Sequence, residues 1–415
     1  MISIRKFILP VLMMGSTLTY GQEVLSLDKV LQEIRTNNPL LKSFDSQVAS
    51  QDAKIEGAGS WMAPMVGAGT FMTPYPGSKV EDESDKGAWM LSAEQDIPNP
   101  AKVKAKEKYF AAQSSITRAA QGVQANLLNA RAKQLYYELI VANKKIAFQK
   151  ENLTIMGTMK KLAEIRYPYN QGSLSQVFKA EGRLYESENM ILMTESELRS
   201  KKIALNALMY RPVNSDFRVD TNLVISFRPI AVLDTSYLGA SRSDIRQMDY
   251  SIRAMELNIN QMRQEAKPDF RIRFDHMANR APMMPSQYTI MGMISIPIAP
   301  WSSKMYKSEV RSMNFEREAM RLQKDAMLSE MLGMTKSMET ELVNMQVRLK
   351  NYETKILPAL NKNLKVSMLT YQENKGDVNT VIDGWEAVNM AQMNYLEQLQ
   401  KFYQMIVEYE KNIER

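Results

Sequence analysis

The sequence predicts an α+β membrane protein, with tandem-duplicated long coiled-coil helices and four β-strands per chain. Three observations predict it. Residues 303–374 form a run of 72 (374 − 303 + 1) with one glycine, Gly333, and one proline, Pro358. As helix this run would extend ~100 Å at ~1.5 Å per residue. Landmarks recur at one offset: Pro64 and Pro268, Tyr167 and Tyr371, and Gly172 and Gly376 are each 204 apart (268 − 64, 371 − 167, 376 − 172). Four short stretches alternate apolar and polar side chains with the period of two that a strand requires.

Composition bounds the chemistry. The chain has 415 residues, 24% charged and 45% hydrophobic, the balance of a folded protein. The net charge of +7 is spread along helical stretches among 46 acidic residues. No basic cluster offers a nucleic-acid footprint, so no nucleic-acid partner is expected. Arg5 and Lys6 precede the apolar run 7–14, and 15–21 is small and polar. This has the form of a signal peptide over 1–21, cleaved near Gly21–Gln22 and too short to span a bilayer. The mature chain is then expected to leave the cytoplasm. Cysteine is absent, which leaves neither disulfides nor a lipid-modified N-terminal cysteine. No later segment reaches eighteen apolar residues, so no transmembrane helix is expected.

Taken in order, the first repeat is expected over 22–210. Ser26 opens a helix with Leu25, Leu27, Val30, Leu31 and Ile34 on one face, stopped at 37–39. A second helix over 40–60 ends before Pro64. Stretches 65–74 and 87–97 read as strands around an acidic loop, 75–86. A long helix over 101–167, a turn at 167–172, Ser173 as cap and a return helix to 210 complete the repeat. Residues 211–235 read as an irregular connector. The second repeat, 236–415, follows the same plan: a helix over 241–266, strands at 269–277 and 287–297, the long helix over 303–374, a turn at Lys375-Gly376-Asp377, and a last helix to 414. Along the long helix, Met313, Met320, Met327 and Met334 form one heptad row. Met331, Met338 and Met345 form a second, and together the rows predict a coiled-coil seam.

The strands are the most specific elements. Phe270, Ile272 and Phe274 share one face, opposed by Arg271, Arg273, Asp275 and Met277. Tyr288, Ile290, Ile294 and Ile296 oppose Thr289, Met291, Met293 and Ser295, while Trp89, Leu91, Ala93 and Ile97 oppose Met90, Ser92, Glu94 and Asp96. Gly67 and Gly69 dilute the pattern in 65–74. Strands of this length with one apolar and one charged face match membrane barrels, the alternative being two soluble hairpins packed on helices. Roughly eight strands are needed to close even a small barrel, and open edges are not tolerated in lipid. The simplest closure is a homotrimer, a 12-stranded β-barrel from three copies of four strands, continued by a tube of helices.

Nothing reads as catalytic, and no cofactor is expected. With one histidine and no cysteine, nucleophilic triads and the usual zinc spacings are unsupported, and carboxylates are scattered along helices. Methionine is the unusual residue: there are 32, of which 20 lie from Met248 onward. Thioethers are soft ligands suited to Cu(I), and by extension Ag(I). Met90, Met277, Met291 and Met293 share the charged strand face, and Met283 and Met284 lie in the adjoining loop, so these six are the candidate metal ligands. For the helix rows, gap-filling at buried heptad positions accounts for methionine.

The chain resembles the TolC-like outer-membrane efflux proteins over essentially its whole mature length. The resemblance is carried by Ser26-Leu27-Asp28-Lys29-Val30-Leu31 through Asn37-Asn38-Pro39, by the helix exits at Pro64 and Pro268, and by the re-entries at Pro98 and Pro297. The segments 167–184, with Gln171-Gly172-Ser173-Leu174, and 371–387 carry it too. The resemblance implies a trimeric channel-tunnel with its β-barrel in the outer membrane and its α-helical barrel crossing the periplasm. It implies docking through a periplasmic adaptor protein onto an inner-membrane efflux pump of the RND type. In that family two acidic residues three apart on the second tip line a periplasmic aperture. Asp383 and Glu386 have this spacing, one position later relative to the glycine than the family pattern. The tips, with Gln171, Gly172, Ser173, Gly376 and Asp377, are then the expected adaptor contacts. The resemblance extends to the heavy-metal subgroup, whose members often carry a lipidated cysteine that this chain lacks. Export of Cu(I) or Ag(I) is the sharper functional expectation. A general exporter of drugs or other small molecules is the alternative, and a secreted coiled-coil structural protein without a pore is the reading from another class.

Overall fold

A computed structural model describes residues 24–414 except 222, 224, 283 and 298; the expected signal segment therefore lies outside the described residues. The chain divides into two compact units. One comprises residues up to Glu33, Leu135–Ile225 and Ala359–Leu396; the other comprises Ile34–Gln134, Ser226–Pro358 and the residues from Glu397 on.

The chain opens with a two-residue strand, β1 (Val24–Leu25), and helices α1 (Leu27–Asn37) and α2 (Pro39–Ala58). Ser26 Oγ accepts the Lys29 N–H at 3.3 Å, and Asn38 Oδ1 accepts the Leu40 N–H at 3.0 Å, so each helix start has a side-chain cap. Pro39, at the first turn of α2, has no N–H to satisfy. Strands β2 (Met65–Phe71) and β3 (Ala88–Ile97) follow, then α3 (Pro100–Arg166) and α4 (Leu174–Met209). After β4 (Arg218–Val219) come α5 (Thr235–Ser241), α6 (Ser243–Gln264), β5 (Asp269–Asn279) and β6 (Gln287–Ser295). Helices α7 (Pro300–Asn351), α8 (Leu357–Gln372) and α9 (Val378–Ile413) complete the chain.

The offset of 204 holds at element boundaries. It separates the starts of α2 and α6 (243 − 39) and both ends of α4 and α9 (378 − 174, 413 − 209). The hairpins differ: the first loop runs over 72–87, sixteen residues (87 − 72 + 1), and the second over 280–286, seven (286 − 280 + 1). The starts of α3 and α7 are accordingly only 200 apart (300 − 100).

Four expectations need correction. The single helix expected over 303–374 is broken: a π-turn at Tyr352–Ile356 separates α7 from α8. Pro358 is the cause. It has no N–H for the carbonyl four residues back and its ring crowds that carbonyl. The ladder widens just before it, and Leu357 N–H donates to Tyr352 O, five residues earlier. The helix expected over 241–266 breaks at Arg242, which is extended. Glu414 explains the new start: its carboxylate accepts the Ser243 N–H and Oγ–H, both at 2.7 Å, an anion seated on the first turn of α6. The heptad seam does not follow one row. Met313 is buried, but Met334 is 40% exposed and burial passes to Met345 in the other row. A straight helix drifts by about 20° per heptad, so three heptads carry the first row out of contact and the seam steps to the next. Finally, the connector 211–235 is not wholly irregular, because β4 pairs in parallel with β1. Buried Tyr136 joins them, its hydroxyl donating to Leu25 O at 2.8 Å and accepting the Asp220 N–H at 3.1 Å.

The other four strands form one antiparallel sheet in the order β2-β3-β5-β6. Its register aligns the faces read from the sequence: Ala93 is flanked by Val66 and Phe274, and Phe274 by Ile290. Among the described residues no helix is long and apolar enough to cross a membrane.

Candidate functional sites on the sheet and at the helical tips

The two faces of the sheet differ in chemistry. On the apolar face Val66, Trp89, Leu91, Phe270, Ile272, Phe274, Tyr288, Ile290 and Ile294 are all exposed, and Trp61 and Trp301 are exposed where the flanking helical segments meet the strands. Among the described residues nothing covers this surface, and β2 and β6 each leave an edge unpaired. An exposed apolar area of this kind marks a protein or membrane contact.

The opposite face is charged and internally compensated. Arg271 contacts Glu94 and Asp96, each at 2.6 Å, and Arg273 holds Asp275 at 2.9 Å. The four described strand methionines expected as ligands lie on this face. The register sets Met90 directly across from Met277, whereas Met291 faces Arg273 and Met293 faces Arg271. The cross-strand neighbours of a pair of this kind have Cβ atoms about 4.5–5.5 Å apart, so Met90 and Met277 present two thioethers together. Met284 is exposed in the 280–286 loop, and Met283 lies outside the described residues. His276 stands on the apolar face between Leu91 and Tyr288, away from the methionines. Among the described residues no three carboxylate or imidazole side chains gather as a hard-metal site.

The helical tips belong to the other unit. Each turns through an asparagine in the left-handed region, Asn170 at φ 56° and Asn374 at φ 64°, again 204 apart (374 − 170). Ser173 sits extended at the start of α4, and Gln176 Oε1 accepts its N–H at 3.3 Å. Gln176 Nε2 also donates to Asp377 Oδ1 at 2.8 Å, and Lys179 donates to Asn379 at 3.1 Å, so the Gln171-Gly172-Ser173 turn is tied to the Gly376-Asp377 turn. Gly376 is closely approached: a Cβ there would meet Tyr371 N at 3.3 Å, so the turn would have to give by a few tenths of an ångström.

Beneath the turns lies a residue that sequence reasoning missed. Arg166 is buried, its guanidinium donates to Tyr371 O and packs 4.0 Å from the centre of the Tyr371 ring, and its carbonyl accepts the Gln171 N–H. One side chain at the end of α3 thereby fixes the end of α8. The signal was available in the paired Tyr167 and Tyr371. Below it Met156, Met159, Leu364, Val378, Val381, Ile382 and Trp385 form the tip core.

Asp383 and Glu386 lie one turn apart on α9, but their surroundings differ. Asp383 is exposed. Glu386 meets Arg183 of α4 at 2.5 Å, and Arg183 also holds Glu186 at 2.7 Å. The Glu186 hydrogen bond, opposed by burial and reinforced by the Glu386 charge, holds the Arg183 guanidinium above its ordinary pKa. Nearby, Lys160 of α3 and Glu181 of α4 are 2.7 Å apart. Their hydrogen bond lowers the pKa of Glu181 and raises that of Lys160.

No protein-family model and no curated protein matches the sequence. Solved structures do match. The outer-membrane channel OprN aligns at 14% identity over 93% of this chain and 89% of its own, with a TM-score of 0.75. The outer membrane protein VceC of Vibrio cholerae aligns at 14% identity, covering 93% and 95%, with a TM-score of 0.72. CusC, described in terms of folding and transmembrane channel formation, aligns at 13% identity, covering 93% and 91%, with a TM-score of 0.75. The chain has the fold of these outer-membrane channels over almost its whole described length.

Proposed function

We propose that this chain, which has the fold of outer-membrane channels, forms the exit duct of a tripartite efflux system as a homotrimer, and exports Cu(I) or Ag(I). The observation that supports it most is the four-stranded sheet, with one apolar face open to its surroundings, one compensated charged face, and two free edges. In lipid the apolar face costs nothing, and the edges must pair. β2 of one copy pairing with β6 of the next closes twelve strands from three copies. The charged face then lines the lumen. Trp61 and Trp301 at the helix ends, with Trp89 and Tyr288 toward the hairpin loops, supply aromatic girdles at the two interfaces. The long helices continue the duct through the periplasm, and the tips, braced by Arg166 and the Gln176–Asp377 bond, meet a periplasmic adaptor and through it an RND-type inner-membrane pump. The protein has no catalytic role in this reading, and energy comes from the pump.

The metal cargo rests on the Met90–Met277 pair. Repeated three times around a lumen, it is a ring of soft donors that favours Cu(I) or Ag(I) over hard cations. A second reading, export of drugs or other small molecules, is favoured by a different observation: Met291 and Met293 stand across from Arg273 and Arg271, where a cation meets guanidinium groups.

Metal tolerance of a deletion strain separates them. The strain is complemented with the wild type or with Met90, Met277, Met291 and Met293 all changed to Leu, after the variant is shown to assemble. Copper or silver sensitivity relieved only by the wild type supports ligands in the barrel. Equal rescue keeps metal export and returns the methionines to packing. Sensitivity to detergents or dyes, with no metal phenotype, sinks the metal reading and leaves the general exporter.

A further inference from the structure

The lipid-facing side of the sheet carries one cation with no anion. Arg280 follows the end of β5, where its N–H donates to Gly87 O at 3.1 Å. Its guanidinium carbon lies over the Trp89 ring, 4.3 Å from the ring centre, on the apolar face. Among the described residues it makes no ion pair, and its Nε is buried without a hydrogen-bond partner. The acidic loop beside it does not neutralise it: Asp82 accepts from Ser84 N–H, Glu83 pairs with Lys86, and Glu81 and Asp85 make no ion pair with it. Trp89, over which this cation lies, also lines an open trough of about 520 Å³, together with Ala68, Gly69, Thr70, Met90, Leu91, His276 and Ala278. Ala68, Thr70 and Ala278 bring small side chains to it, and Trp89 and Leu91 bring large apolar ones.

We propose that Arg280 and the trough bind a phosphate-bearing lipid of the surrounding leaflet, phosphate on the guanidinium and one acyl chain along Ala68, Leu91 and Ala278. The chemistry fits on both counts. A guanidinium over an indole still offers its two terminal Nη groups, which can grip a phosphate with two parallel hydrogen bonds. A shallow apolar groove beside it takes a hydrocarbon chain. The residue stands at the hairpin-loop end of the strands, at the level of the exposed Trp89 and Tyr288, where a headgroup sits over an aromatic girdle. Three such sites would ring the trimer. The inference rests on the barrel reading above.

The test is lipid binding to the purified trimer by native mass spectrometry, with conductance of the same preparation recorded in a planar bilayer. Phosphatidic acid is compared with diacylglycerol of the same chains and with inorganic phosphate. Up to three phosphatidic acid molecules are expected per trimer, bound at least tenfold more tightly than diacylglycerol. Inorganic phosphate should not compete. Arg280→Gln should abolish the difference between the two lipids while leaving trimer mass and conductance unchanged, and Arg280→Lys should retain part of it. Equal binding of the two lipids, or an unaltered preference in Arg280→Gln, overturns the proposal while conductance leaves the channel reading standing. Competition by inorganic phosphate overturns the lipid part. A wild-type chain that neither trimerises nor conducts overturns both readings.

Discussion

Glu181 shows how much of the tip depends on single charges. Lys160 lowers its pKa, so the ion pair between α3 and α4 contributes stability at any pH above the ordinary carboxylate range and loses it as pH falls through the depressed folded value. Lys160, raised, contributes below its ordinary range and loses that contribution only at strongly alkaline pH. Both side chains are half-buried at the surface and screened by solvent, so the effect is local. Amide protection factors around 160–181, with the intrinsic pH dependence of exchange divided out, should fall below about pH 4, and Glu181→Gln should show the lower protection already at pH 7; protection factors unchanged with pH in the wild type would discard the pair as a brace. At this scale the sequence was only partly legible. Ser173 as a cap and Gly172 and Gly376 at the turns follow from local backbone chemistry. Arg166 over Tyr371 and Arg183 against Glu386 do not, because each joins residues more than 200 positions apart (371 − 166, 386 − 183). For the aperture this matters. Glu386 is compensated within the chain and Asp383 is not, so Asp383→Ala should raise single-channel conductance more than Glu386→Ala does. Unchanged conductance in both would remove the aperture assignment.

Among the elements, the strands were the most readable, since a period of two assigns every residue to a face before any partner is known. The antiparallel register then aligned those faces across β3, β5 and β6, while the faces of the glycine-diluted β2 follow only from its pairing with β3. The π-turn before Pro358 and the wandering methionine seam were harder. Both depend on how a long helix accumulates small departures from ideal geometry, which a count of apolar positions does not contain. Compensation on the charged face gives the element its own test. Arg271→Ala leaves Asp96 without its partner and Glu94 with only Arg273, 4.0 Å away, so a lumen lined by this face gains negative potential, and the cation-to-anion permeability ratio should rise several-fold at low salt and fall back as salt increases. A ratio insensitive to this substitution would mean that the face does not line the conducting path.

For the whole molecule, duplication was plain in the sequence because 204 recurs at turn residues, and the element boundaries obey it on both return helices. Closure of the barrel is an assembly property, and engineered cysteines test it on a background with none. A cysteine in β2, at Ala68 or Thr70, combined with one in β6, at Tyr288 or Ile290, should give covalent trimers on oxidation; intramolecular products alone would exclude pairing between these edges. One small feature bears on how the chain reaches this state. The pairing of β1 with β4 joins residues 194 apart (218 − 24), and Tyr136 bonds to both sides of the junction. Strand β1 therefore has no docking partner until residues 218–220 have been made. Contacts of such long sequence separation form late and slowly. In synthesis β1 is thus a waiting segment, open to proteases and chaperones until the far side of its junction exists.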